Sequence, residues 1–172
     1  MSSEPSAAKN RTEHFTLRSH RPGDLGWIVS RHGKLYADEH GYNEQFERVV
    51  AEIAADFLRS HDPKRERCWI ADIEGEPVGC IMLVRVSADV AKLRVMLVEP
   101  RARGRGVATA LIDECLRFAR DAGYRRVTLW THSNLVVARR LYERAGFRLV
   151  HSEPAAEGFG RTLVDETWEI EL

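Results

Sequence analysis

The chain has no excess of charge of either sign. Its 172 residues carry 26 Lys and Arg against 26 Asp and Glu, for a formal net charge of zero, which argues against a general nucleic-acid or membrane-surface binder. Cysteine is scarce. Cys68, Cys80 and Cys115 are odd in number, widely spaced and set among apolar residues, unlike a disulfide framework or a zinc knuckle, so they are expected as reduced core thiols. No hydrophobic run approaches a membrane span, and the opening MSSEPSAAKNRT is polar, unlike a secretory leader or an anchor. Repeats, linkers and low-complexity runs are missing too. With 44% hydrophobic residues to build a core, these absences predict a single cytoplasmic domain over residues 13–172, behind a disordered tail of residues 1–12 and without a metal site.

Two nucleotide signatures are also missing. A Walker loop, GxxxxGK followed by Ser or Thr, occurs nowhere, and in the place of the third glycine of a GxGxxG fingerprint stands Thr109. What does stand there, from Val98 to Leu111, is VEPRARGRGVATAL: an apolar strand end, a proline stop, a glycine-rich basic turn and a helix start. Gly104 and Gly106 let backbone N–H groups approach a ligand where the positive end of the following helix adds its field. Arg101, Arg103 and Arg105 add charge at the same turn. The natural guest is a pyrophosphate; the bland alternative is a strand-to-helix turn with arginines for solubility.

A second segment, ARRLYERAGF, places Ala138, Leu141, Tyr142 and Ala145 at i, i+3, i+4 and i+7 on one helix face that Gly146 can close. Spacing alone makes Tyr142 a core residue. Elsewhere, strands are expected near residues 13–20, 68–73, 77–86, 91–98 and 126–131, with two more at 147–151 and 163–172 around an acidic, glycine-bearing segment at 153–160. Helices are expected from Leu25 to about Tyr36, around Phe46 to Phe57, from the glycine turn to Gly123, and across Tyr142. Glu74 to Glu76 has hairpin-turn chemistry. Residues 38–42 form an exposed polar loop, and the four tryptophans are spread as core residues.

Arg103, Gly106 and Ala108, in the order R-x-x-G-x-A after Val98 and Pro100, together with the A-x-x-x-Y-x-x-x-G-F of the second segment, resemble the GCN5-related N-acetyltransferases (GNAT), most nearly the acetyltransferase half of proteins that carry a MarR-type DNA-binding domain in front. The resemblance covers the chain from about residue 14 onward. It implies an α/β fold with a mostly antiparallel, twisted sheet of about seven strands flanked by four helices. It implies acetyl-CoA as co-substrate, held by Met96, Leu97 and Val98 and by Arg103, Gly104, Arg105, Gly106, Val107, Ala108, Thr109 and Ala138. Tyr142 would be the general acid toward the departing thiolate. The acceptor would be a primary amine of a small molecule or peptide, with no nucleic acid or membrane partner, and a homodimer would form through the C-terminal strands. One departure stands out: the family usually has Asn three residues before that alanine, and here the position is Leu135. Asn134, one residue early, either serves the pantetheine arm or caps the helix.

The base is less defined. His132, just past a strand, is either a proton acceptor with a suitable pKa or a surface residue; Glu99 and a water chain are alternatives, Glu99 having an equal claim to a loop or salt-bridge role. Glu39, His40 and Tyr42 lie where the family places its substrate-facing loop, and the negative charge there would suit a cationic amine. The rival function is a non-catalytic module that senses acyl-CoA or mediates interactions.

Overall fold

The computed structural model describes residues 14–172; the predicted tail and the first predicted strand residue, Glu13, lie outside them. The order is β1 (Thr16–Ser19), α1 (Asp24–His40), α2 (Glu44–Ser60), β2 (Arg67–Ile73), β3 (Glu76–Arg85), β4 (Val90–Val98), a 3-10 turn (Pro100–Ala102), α3 (Val107–Asp121), β5 (Arg126–His132), α4 (Val136–Ala145), β6 (Arg148–Ser152), β7 (Ala156–Gly158), β8 (Arg161–Leu163) and β9 (Asp165–Glu171). Seven strands form one sheet in the order β1-β2-β3-β4-β5-β9-β6, and β7 and β8 form a separate hairpin. Among the described strands only β4 and β5 run parallel. This is the mixed α/β sheet with four helices that the resemblance implies.

Apolar periodicity on both faces of the sheet makes three layers. On one face Leu111, Ile112, Cys115 and Ala119 of α3 pack with Val78, Ile81, Leu93, Val127 and Leu129. On the other, Ile28 and Leu35 of α1 and Phe46, Val50 and Phe57 of α2 cover Ile70, Cys80, Met82 and Leu97. Each such fully buried aliphatic side chain contributes about 1.5–3 kcal/mol. All three cysteines are free and buried. The β2–β3 turn uses Glu74 and Gly75, both at positive φ (52° and 82°), as a type I′ hairpin requires.

Three sequence expectations change. First, α1 does not stop near Tyr36 but runs to His40, where Gly41 at φ 70° ends it; the Gly41 N–H donates to the Ala37 carbonyl at 3.0 Å, the bond of an αL closure, and the Tyr42 N–H donates to the Tyr36 carbonyl at 3.2 Å. Asp38, Glu39 and His40 are therefore helical, and the expected polar loop shrinks to residues 41–43. Second, the segment between the last two expected strands folds into the β7–β8 hairpin, which turns on Phe159 (φ 52°) and Gly160 (φ 76°); phenylalanine is not a turn residue, so nothing local announced it. Third, Trp130 is only half-buried and faces a cleft, whereas Trp69 and Trp168 are core.

Candidate active site

The parallel pairing of β4 with β5 spans only Val90–Leu93 against Arg126–Leu129. Beyond it the strands part, and Arg94, Val95 and Met96 face Trp130, Thr131 and His132 across a cleft that α4 closes with Leu135, Ala138 and Tyr142. A bulge helps to open it. Met82 pairs with Arg94 and Cys80 with Leu97, so Ile81 alone opposes Val95 and Met96. Val95 sits at φ 45°, a strained conformation for a β-branched residue. Its carbonyl accepts the Cys80 thiol at 3.0 Å. Bulges of this kind re-aim backbone groups beside functional sites.

The cleft opens into a groove of about 600 Å³, within the roughly 300–1,000 Å³ usual for small-molecule sites. The end of β4 (Met96, Leu97, Val98), the turn (Arg103, Gly104, Gly106), the first turn of α3 (Val107, Ala108, Thr109), the end of α1 and the outer face of α4 line it. Gly104 and Gly106 lie at φ 75° and 82°, and a Cβ at either would meet nothing within 4 Å. Glycine is needed there for the backbone conformation, not for room inside the protein. No side chain caps α3, so the amides of Val107, Ala108 and Thr109 at its positive end stay available to an anion. The residues present therefore fit a diphosphate. Arg103 closes the rim, its guanidinium donating to Glu39 of α1 at 2.8 Å and to the Val98 carbonyl at 3.3 Å.

Tyr142 is buried in the cleft wall, and its hydroxyl meets no hydrogen-bond partner among the described residues. Burial raises its pKa well above the usual phenol range, and the Cys115 thiol adds to the shift. The phenol therefore stays protonated throughout the neutral range. Tyr36 of α1, which sequence reasoning did not single out, lines both cleft and groove; burial raises it too, and Tyr142 contributes.

His132 is 1% exposed, not a surface residue. Its Nδ1 hydrogen-bonds the Tyr42 hydroxyl at 2.8 Å, and its Nε2 lies 3.4 Å from the Asp165 carboxylate without a hydrogen bond. Burial lowers its pKa against the opposing pull of Asp165 and Glu166, so it is neutral at pH 7. Besides the cleft it borders a recess shared by Trp130, Phe159, Glu153, Glu157 and Asp165. Asn134 does not cap α4, whose N-cap is Leu135 with no side-chain bond. Its side-chain amide instead lies within hydrogen-bond distance of the Tyr42 hydroxyl, Oδ1 at 3.3 Å and Nδ2 at 3.2 Å, while Asn134 also borders the groove.

Glu99 is bound at both oxygens by Arg31 of α1, at 2.5 and 3.0 Å, the salt-bridge alternative to a base. Glu39 and His40 line the groove, and Tyr42 is buried in an aromatic cluster with Tyr36, Phe46 and Phe159. Asp38 pairs with Lys34 at 2.8 Å and Glu39 with Arg103. The negative charge expected to draw a cationic amine is thus neutralised within the protein. Among the described residues no cluster of three or more His, Cys, Asp or Glu could hold a metal ion, and no helix is long and apolar enough to cross a membrane.

A glycine turn thus feeds a groove that ends between two parted parallel strands. The Acetyltransferase (GNAT) family model matches residues 13–147, well over half of the chain, and the chain belongs to that family, whose members take acetyl-CoA as co-substrate. It is 27% identical over 146 residues to an uncharacterised N-acetyltransferase of Methanocaldococcus jannaschii, covering 80% of this chain and 62% of that one. To N-acetylaspartate synthetase of Danio rerio it is 33% identical over 102 residues, 59% and 35% of the two chains. It thus spans less than two thirds of the length of either relative. Among solved structures, an acetyltransferase of Streptococcus agalactiae superposes with TM-score 0.73 at 18% identity, covering 92% of this chain and 98% of that one, a likeness of fold alone.

Proposed function

We propose that the protein transfers an acetyl group from acetyl-CoA to a primary amine of a small molecule or peptide by direct attack. The observation that carries this reading is continuity: Tyr36, Met96, Leu135 and Ala138 line both the groove and the cleft that holds Tyr142. A ligand whose diphosphate lies on the α3 N-terminus can thus bring its acyl end to the phenol. The co-substrate supplies a thioester, whose carbonyl carbon bonds to the amine nitrogen while the carbon–sulfur electron pair departs on sulfur.

The chain's own residues do the rest. The amides of Val107, Ala108 and Thr109 bind the diphosphate, and Arg103 guards the rim. Backbone donors at the bulge of β4 meet the charge that develops on the carbonyl oxygen; a preorganised donor of this kind contributes roughly 3 kcal/mol. Tyr142 gives its proton to sulfur. A phenol raised by burial donates effectively because a thiolate forming in the same dry cleft is raised as well. The amine releases a proton to Nε2 of neutral His132, in the tautomer whose Nδ1–H donates to the Tyr42 hydroxyl, which donates on to the Asn134 side-chain oxygen. The kinship with MarR-type fusion proteins, a cytoplasmic setting that keeps the three thiols reduced, and a homodimer through the exposed edge strand β6 belong to the same reading.

The test is release of free thiol from acetyl-CoA with a panel of amino acids, polyamines, aminoglycosides and peptides. Tyr142→Phe should lower kcat about a hundredfold, the lower bound of general-acid catalysis, with acetyl-CoA affinity nearly intact. An unchanged kcat removes Tyr142 as the acid, and a protein that binds acetyl-CoA but releases no thiol with any amine is a sensor.

A further inference from the structure

Two basic side chains in the cleft break the pattern that every other half-buried Lys or Arg among the described residues follows. Arg18 bonds Asp24 and Asp72, Arg31 bonds Glu99, Arg126 bonds Glu169 and Arg139 bonds Glu166. Arg65 donates to two carbonyls and lies over Tyr124, and Arg67 lies over Phe118. Lys92 and Arg94 of β4 are also half-buried, yet among the described residues neither has a hydrogen bond, an ion pair or an aromatic ring beneath it. They alternate with Ala91 and Leu93, which enter the core on the α3 side. Both therefore project to the opposite face, where they line the cleft with Trp130, His132 and Tyr142.

Leaving two like charges partly desolvated and unpaired is costly, and proteins rarely retain such an arrangement without a counter-charge. Burial lowers the pKa of both, and Arg94 lowers Lys92 further. Among the described residues no carboxylate pairs with either side chain. Asp56 and Glu66 border a neighbouring recess that Arg94 also touches. Asp56 is taken by Arg59 at 2.6 Å, and Glu66 by the amides of Asp62 and Arg85 at 2.9 and 3.0 Å.

We propose that Lys92 and Arg94 receive a carboxylate of the acceptor, so that the amine acetylated here is that of an amino acid or a similar carboxylated amine. The inference rests on the transfer reading above and names its substrate class. Arg94 and Met96 flank the bulged Val95 of β4, and both line the cleft that holds Tyr142. The carboxylate sits toward the closed end of the cleft and the amine toward Tyr142 and His132, with Asp165 behind the imidazole. The two ends of a zwitterion thereby face complementary charge.

The experiment uses matched probes: aspartate, glutamate, methionine and phenylalanine, each beside its α-amide and its decarboxylated amine. Thiol release should give kcat/KM about tenfold or more in favour of at least one carboxylated probe, the scale of a charge-assisted contact. Arg94→Gln and Lys92→Met should bring that ratio toward one, and Arg94→Lys should restore part of it. Both neutral variants should melt no lower than the parent, since each removes an unpaired charge; a melting point several degrees lower would show an internal structural role and overturn the proposal. Turnover with no preference for the carboxylate overturns it too, while leaving acetyl transfer standing. If no amine releases thiol, the transfer reading falls and calorimetry decides in the presence of coenzyme A: binding that favours the carboxylated probe and is lost in Arg94→Gln upholds the site, and its absence refutes it.

Discussion

His32 shows how burial alone can make one residue a source of pH dependence. It is 2% exposed on α1, its Nδ1 hydrogen-bonds the Ile28 carbonyl at 2.8 Å, and its Nε2 has no partner among the described residues. Burial pushes its pKa down to about 4, against the opposing pull of the Ile28 and Met96 backbone. A depressed histidine means that the unfolded chain takes up a proton first. The associated stability is fully present above the unfolded pKa of about 6.5 and is lost as pH falls from there toward 4. The loss across that window is on the order of 3 kcal/mol. His32→Gln should therefore be less stable at pH 7 and show a flatter pH dependence between 6.5 and 4, read from urea unfolding at each pH. Parallel curves for variant and parent would refute the assignment. His132 is displaced in the same direction, but a hydroxyl and a carboxylate stand beside its ring nitrogens, whereas the His32 ring stacks on Tyr36 at the cleft wall.

At the scale of elements, what was legible in the sequence was local. The turn into α3 and the helix bearing Tyr142 each announce themselves within about a dozen residues, because glycine conformation, helix ends and 3.6-residue periodicity act over short spans. The end of α1 was within reach as well, since Gly41 is the stop, but polar residues in the last turn read as loop. Tyr36, Trp130 and the pair Lys92 and Arg94 were not legible. Their meeting depends on where β4 and β5 part, a register that no single segment encodes. The same holds for Gly79 of β3, where an added Cβ would lie 3.1 Å from Val107, 3.2 Å from Leu111 and 3.2 Å from the Leu97 carbonyl. That glycine lets the first turns of α3 sit directly on β3 and beside the end of β4, which sets the aim of the diphosphate-binding amides. Gly79→Ala should cost about 1–3 kcal/mol by overpacking and weaken coenzyme A binding together with stability, measured by denaturant unfolding and calorimetry. A variant as stable as the parent would show that the contact has slack.

The groove draws on pieces that are otherwise held apart by the sheet. The end of α1 comes from the layer over one face, α3 from the layer over the other, and β4 lies between them; Arg31 with Glu99, and Arg103 with Glu39, are the polar ties that join α1 to the loop. Along the same groove Val136 and Val137 of α4 stand 46% and 72% exposed, apolar surface that a bound ligand would cover. A ligand spanning all of these parts binds only the complete fold and must raise its stability as a whole. At a concentration of about one hundred times its dissociation constant the gain is about 2.7 kcal/mol, which for a chain of this size corresponds to roughly 5–10 °C in Tm. Thermal unfolding with and without coenzyme A should show that increase. Replacing Arg103 with Ala and Gly106 with Val together should abolish it, even though valine at φ 82° lowers the starting Tm by its own strain. Because the shift is read against each protein's own ligand-free curve, the strain cancels. An increase that survives in the double variant would mean that the nucleotide is held elsewhere, and the route from the turn to Tyr142 would have to be redrawn.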